Sequence, residues 1–293
     1  NLNHKIATRR SKLAQVQADI IIGLIKESQN ISFEKYLIET EGDRRLDVSL
    51  DKIGGKGLFV KEIEIALMED KAKAAVHSMK DVPYEIEKYF EIAAIPVRED
   101  ARDVFISADE KEFNRLPRGS RVGTSSKRRA AQLAIIRPDI EFVSIRGNVQ
   151  TRIEKMKREN LRGIILASAG VKRLEMEDLI TNYFSEEEIV PAVGQGALGI
   201  EVLKKLEDKD MFTSLDDENI RVCVEAERSF MKTLQGGCHT TVGAFAKLYG
   251  DVIHIIGVFD LAGKVVKKDI SGSRYDYINL GESLAKKIIN SGL

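Results

Sequence analysis

The 293-residue sequence has no tryptophan, five prolines, two cysteines and four histidines. Two cysteines, Cys223 and Cys238, make no disulfide framework, and a reducing cytoplasm is the simplest setting. The histidines and cysteines show no zinc-type spacing. No apolar run is long enough for a membrane helix, and the first residues lack the apolar core of a secretory signal. Net charge is also missing: 46 basic residues balance 46 acidic ones, so no general attraction to nucleic acid or anionic membrane is expected. Repeats of 20–50 residues are absent. Any electrostatic specificity must therefore come from local sorting of charge.

What is present is an ordinary soluble composition in a chain long enough for two or three cores. Strands are expected at 4–8, 33–39 and 74–77. Between them lie a helix capped by Ser11, with Leu13, Val16, Ile20 and Leu24 on one face and Ile21 and Ile25 beside them, and a helix carrying Ile63, Ala66 and Leu67. The rhythm repeats from Ala101 to about Val190, with strands at 104–107, 121–123, 142–145 and 164–167 and helices at 127–136 and 149–159. Pro191–Gly199 is Gly-rich, and 199–203 reads as a strand returning to the first unit. After Asp216 come a helix at 219–234, three antiparallel strands at 240–248, 252–259 and 265–271, and a helix at about 281–290. The expected fold class is α/β, with a small α+β C-terminal domain. The expected domains are 1–96 with 196–215, then 97–195, then 216–293. The charged, Gly-rich stretch 43–57 is expected to be a mobile lid.

Residues 115–153 hold nine basic side chains and two acidic ones, Asp139 and Glu141. Composition alone allows a solvated surface patch. Placement argues for more, because Thr124-Ser125-Ser126 joins a strand to a helix whose first turn holds Arg128 and Arg129. Helix N-termini attract anions, and arginines there work against the dipole unless an anion arrives. Arg146-Gly147-Asn148 repeats the arrangement, followed by Arg152. Ligands of open α/β sheets bind at such strand ends. A guanidinium fork suits carboxylate or phosphate, but no phosphate-binding G-x-x-x-x-G-K-[ST] loop occurs. The patch has no interleaved aromatics, which disfavours nucleic acid.

Lys80-Asp81 after the strand at 74–77 reads either as a surface ion pair or as a general acid/base or counter-ion. Arg9 at the end of the first strand is equally open. Cys238, in Gly236-Gly237-Cys238-His239, is either an inert buried thiol or a nucleophile on an uncrowded loop. Cys223 fits the inert reading.

Taken together, these strings resemble the porphobilinogen deaminase (hydroxymethylbilane synthase) family. The matching segments are IATR at 6–9, GGKGLF at 54–59, VHSMKDVP at 76–83, GTSSKRR at 123–129, RGN at 146–148, PAVGQGA at 191–197, AER at 226–228 and GGC at 236–238. They run in family order across nearly the whole chain. The resemblance implies a cytoplasmic, monomeric transferase of haem biosynthesis that joins four porphobilinogen molecules into hydroxymethylbilane and releases ammonia. It implies a covalent dipyrromethane cofactor on Cys238, and two periplasmic-binding-protein-like domains around a cleft. It assigns Asp81 to stabilising the cationic azafulvene left when ammonia departs. Arg9, Ser11, Lys80, Arg128, Arg129, Arg146, Arg152 and Arg173 are expected to bind acidic side chains of cofactor or substrate. Thr124, Ser126, Gly147, Asn148 and Gln195 are expected to line the same cleft. No metal, nucleic acid or membrane is implied. Lys127 stands where the family usually has Leu, and His239 is not given a role. A non-catalytic binder of organic anions is the rival reading that the residues alone leave open.

Overall fold

A computed structural model of the chain describes residues 3–45, 57–235 and 241–292. Cys238 and residues 46–56 of the expected lid lie outside the described residues. The chain divides into two compact units, 1–98 with 197–222, and 99–196 with 223–293.

The first unit is a five-stranded sheet in the order β2-β1-β3-β10-β4. Its strands are β1 (Lys5–Arg9), β2 (Glu34–Ile38), β3 (Ala74–Ser78), β4 (Phe90–Arg98) and β10 (Ala197–Leu203). β1 runs parallel to β2 and β3, whereas the returning β10 runs antiparallel to β3 and β4. Helix α1 (Lys12–Gln29) starts where the Ser11 side chain accepts a hydrogen bond from the Ala14 N–H, and it ends at Asn30 in a left-handed conformation. α2 (Glu41–Arg44) is a single turn with a Thr40–Asp43 capping box, and α3 (Lys61–Met68) covers one sheet face.

The buried stripe of α1 includes the expected Ile21 and Ile25 but is centred to one side of the expected face. Ala14, Gln17, Ala18, Ile21 and Ile25 face the sheet, and Ile20 and Leu24 are only partly buried. The small alanines admit close approach to the sheet, and Gln17 tolerates burial because its amide reaches Ser78 Oγ at 3.0 Å. β4 escaped the sequence reading altogether.

The second unit carries two sheets. One is β7-β6-β8-β5-β9, built from β5 (Asp103–Ser107), β6 (Arg121–Gly123), β7 (Glu141–Val143), β8 (Gly163–Ala167) and β9 (Asn182–Tyr183). Helices α4 (Lys127–Ile136), α5 (Val149–Arg158) and α6 (Ser168–Arg173) follow β6, β7 and β8. After the short α7 (Asp210–Thr213) of the first unit and α8 (Glu218–Leu234) comes an antiparallel meander, β11 (Val242–Tyr249), β12 (Val252–Leu261) and β13 (Lys264–Ser273). Helix α9 (Tyr277–Asn290) ends the fold, and Leu284 and Ala285 on it are fully buried. Glu227, fully buried on α8, accepts the Gly194 N–H at 2.9 Å and the Ala246 N–H at 3.0 Å. One carboxylate thus ties the Gly-rich segment to the meander.

Ile21 is fully buried among Ile6, Ala74 and Val76. Ile21→Ala is expected to cost about 2–5 kcal/mol in denaturant unfolding, because it deletes packed methylenes and leaves a cavity.

Candidate functional site

In the first unit the site begins where β1 and β3 end. Arg9, Phe59, His77, Ser78 and Asp81 line one pocket. Arg9 ends β1, and its guanidinium lies over the Phe59 ring at 4.2 Å. Arg9 Nε reaches both Asp43 carboxylate oxygens at 3.1 Å. Burial raises the Asp43 carboxyl, but the Arg9 bond and charge outweigh it and hold it below its usual value.

β3 runs into a single 3-10 turn, Met79–Asp81. Met79 is buried, Lys80 is exposed, and Asp81 is partly exposed. Among the described residues the Asp81 carboxylate makes no hydrogen bond or ion pair. It is therefore available to a reacting group in a way that Asp43 is not.

In the second unit the basic residues sort into two kinds. Arg128 and Arg129, in the first turn of α4, are 7% exposed. Both reach Asp103, which is fully buried at the start of β5: Arg128 Nη1 donates to Oδ2 at 2.6 Å and Arg129 Nε to Oδ1 at 2.9 Å. Gln195 joins them, donating to Asp103 Oδ1 at 3.1 Å and to the Ala101 carbonyl at 2.7 Å. Burial raises the Asp103 carboxyl, yet the two guanidinium charges prevail and hold it at about 2. The partner comes from beyond the 115–153 window, so the local charge excess alone does not reveal it. The signal was visible, since Asp103 is an acid that opens the buried apolar run Val104-Phe105-Ile106.

Ser126 caps α4, accepting the Arg129 N–H at 3.2 Å, and buried Thr124 accepts the Ser126 N–H. Asn148 caps α5, accepting the Thr151 N–H at 2.8 Å. Gly147 sits at φ +121°, where a side chain would also strike Thr151, so glycine is required. Arg152 donates from Nε to the Gly147 carbonyl at 2.8 Å, and among the described residues it meets no carboxylate. Burial, then the charges of Arg129 and Arg146, lower its guanidinium to about 10. Arg173 ends α6 and donates to the Gly196 carbonyl at 2.8 Å; burial lowers it to about 10, with Glu99 opposing. Two arginines share one aspartate, and Arg152 adds charge without an acid. The cluster therefore carries more positive charge than its own acid offsets.

Cys223 is buried on α8, as expected of an inert thiol. Among the described residues no group of three or more His, Cys, Asp or Glu side chains is arranged to hold a metal, and no helix is long and apolar enough to cross a membrane.

Comparison with known proteins gives two family matches. Residues 4–213 match porphobilinogen deaminase, dipyromethane cofactor binding domain, and residues 221–290 match porphobilinogen deaminase, C-terminal domain. The porphobilinogen deaminase of Clostridium botulinum (strain Kyoto / Type A2) is 59% identical over 288 residues, covering 98% of this chain and 99% of that protein. Its counterpart from Clostridium acetobutylicum is 58% identical over 284 residues, covering 97% and 98%. Among solved structures, a periplasmic substrate-binding protein of an ABC transporter from Coxiella burnetii aligns with TM-score 0.44 at 10% identity, covering 74% of this chain and 93% of that one. A Salmonella typhimurium periplasmic binding protein aligns with TM-score 0.42 at 16% identity, covering 75% and 93%.

The Asp103 hub has a pH signature. Its carboxyl is lower in the fold, at about 2, than in the unfolded chain, at about 3.9. The stability it contributes is present above pH 4 and is lost as pH falls towards 2. Asp103→Ala leaves two guanidiniums buried without a counter-ion and is expected to cost about 3–5 kcal/mol at neutral pH. A loss under 1 kcal/mol in urea unfolding would refute the hub.

Proposed function

The chain belongs to the porphobilinogen deaminase family, and from that premise we propose how its residues divide the work. It is a transferase of tetrapyrrole biosynthesis with a dipyrromethane-cofactor-binding domain, acting on porphobilinogen. The observation that carries the division is the pocket shared by Arg9 and Asp81, in which the Asp81 carboxylate is unengaged among the described residues.

The substrate bears acetate and propionate groups and a protonated aminomethyl arm. Arg9, Arg146, Arg152 and Arg173 are proposed to hold its carboxylates, with Ser11, Lys80, Thr124, Ser126, Gly147 and Asn148 at the edges. Arg128, Arg129 and Gln195 are proposed to act from behind, keeping positive charge near Arg152 while Asp103 holds them rigid. Loss of ammonia leaves positive charge on the substrate, and Asp81 is the carboxylate proposed to offset it and to take up the proton released afterwards. An unpaired aspartate held on a short turn suits that task better than one locked to a guanidinium.

A dipyrromethane group supplies, when bound, the chain end to which new pyrroles are joined. The side chains fit such a group, since Arg152 is partly buried without an acid and needs a carboxylate partner. Cys238 is proposed as its thioether anchor. We further propose three domains, 1–96 with 196–215, 97–195 and 216–293, in a cytoplasmic monomer without affinity for nucleic acid or membrane. The three sheets and the absence of net charge support that reading.

Asp81→Ala is expected to lower ammonia release from porphobilinogen by roughly 10²–10⁴-fold, the range for a lost acid/base group, with the circular-dichroism spectrum unchanged. Turnover within tenfold of wild type would remove Asp81 from the mechanism. Wild-type protein that binds porphobilinogen and releases no ammonia would favour a non-catalytic anion binder.

A further inference from the structure

Behind the wall of the Arg9–Asp81 pocket lies a set of buried polar side chains that the division above leaves unused. His77 is 5% exposed, and Glu201 is fully buried. His77 Nε2 stands 3.1 Å from Glu201 Oε1. The strand register brings them together: β3 and β10 are antiparallel, with His77 opposite Gly199 and Ala75 opposite Glu201, so both side chains leave the same sheet face. Helix α3 covers that face, packing Ile63 and Leu67 against Ala7 and Ala75, and it brings Glu64 to Glu201.

The second Glu201 oxygen, Oε2, is buried and has no donor while both acids are ionised. A fully buried carboxylate and a half-buried one brought together do not both readily stay charged, because desolvation and mutual repulsion each favour the neutral form of one. A proton on Glu64 removes one charge and provides the missing hydrogen bond to Glu201. Burial first, and then the bond and charge of Glu201, push the Glu64 carboxyl up to about 8, with Glu87 adding to the effect. His77 Nε2 is within hydrogen-bond reach of the other Glu201 oxygen, Oε1, at 3.1 Å.

Resting on the functional reading above, we propose that Glu64 and Glu201 share a single proton and that this pair fixes the His77 ring, making His77 and Glu201 positioning residues for the turn that carries Asp81. His77 is the residue through which the pair reaches the pocket, since its ring lines the cavity and Ser78 and the Met79–Asp81 turn follow it directly. The other charged or titratable groups around the pair are few. Glu87 precedes β4 and opposes ionisation of Glu64. Arg9 on β1 is engaged by Asp43, Asp81 lies beyond His77 in the pocket, and Glu62 on α3 turns to the Glu41 N–H and Arg44. The two cations among these, Arg9 and Arg44, pair with Asp43 and Glu62 rather than with Glu64.

The sign follows from the raised value. Glu64 keeps its proton through neutral pH and loses it as pH passes about 8. Ammonia release by the holoenzyme is therefore expected to fall above pH 8, to about one tenth of its neutral rate one pH unit higher. Glu64→Gln provides a permanent N–H donor to Glu201, so its rate at pH 7 is expected within twofold of wild type and its fall at pH 9 is expected to be absent. Infrared difference spectra between pH 7 and pH 9.5 provide an arm that needs no turnover. The wild type is expected to lose a protonated-carboxyl C=O band, and Glu64→Gln to have none to lose. Glu201→Gln serves as the second variant, expected to lack the same band. The same alkaline fall in wild type and Glu64→Gln, or no such band in the wild type, would overturn the proposal. Wild-type protein that shows the band and releases no ammonia would instead defeat the functional reading on which the pH profile rests.

Discussion

The structure depends on how it keeps positive charge out of water. A guanidinium removed from solvent needs an acceptor for its donors and a counter-charge for its field. Asp103 answers both needs for Arg128 and Arg129, and Gln195 fills the remaining geometry. That hub gathers β5, α4 and the Gly-rich segment of the second unit around one carboxylate. It leaves a deliberate surplus, because Arg152 stands near Arg129 and Arg146 and has a backbone carbonyl where an acid would be expected. A protein of zero net charge thus builds a local anion site by pairing some arginines and leaving another without an acid.

The first unit solves the opposite problem with the same devices. Arg9 is neutralised by Asp43, while Asp81 faces a pocket and the half-buried Glu64 meets the fully buried Glu201. An open carboxylate suits a reaction that develops positive charge. A closed pair that must keep a proton suits support. The short turn between β3 and Asp81 joins the two, so the carboxylate proposed to react follows directly on the strand that the buried His77–Glu201 contact holds.

Much of this was legible in the sequence, and the failures have physical causes. Helix starts at Ser11, Ser126 and Asn148 were readable or implied because capping is local chemistry. The strands at 74–78 and 163–167 announced themselves as apolar runs. β4 did not: Phe90–Arg98 mixes charge with apolar residues, and its identity as a strand comes from pairing with β10, more than a hundred residues away. The buried face of α1 was legible only in part: Ile21 and Ile25 stood out as large apolar residues, whereas Ala14 and Ala18, which pack close against the sheet, did not. The basic patch was legible as a concentration of charge, whereas the pairing of Arg128 and Arg129 with Asp103 was not, since Asp103 lies outside the 115–153 window and arrives through the fold. Likewise His77 and Glu201 are 124 residues apart, and only the antiparallel return of β10 makes them neighbours.

The central claim is that the arginine set exists to hold a resident poly-carboxylate anchored at Cys238. Intact-protein mass spectrometry of the purified chain tests it most directly. The account predicts that wild type carries the added mass of one dipyrromethane unit and that Cys238→Ala has the bare sequence mass. Unmodified wild type from a host that makes haem, or the same adduct on Cys238→Ala, would contradict it.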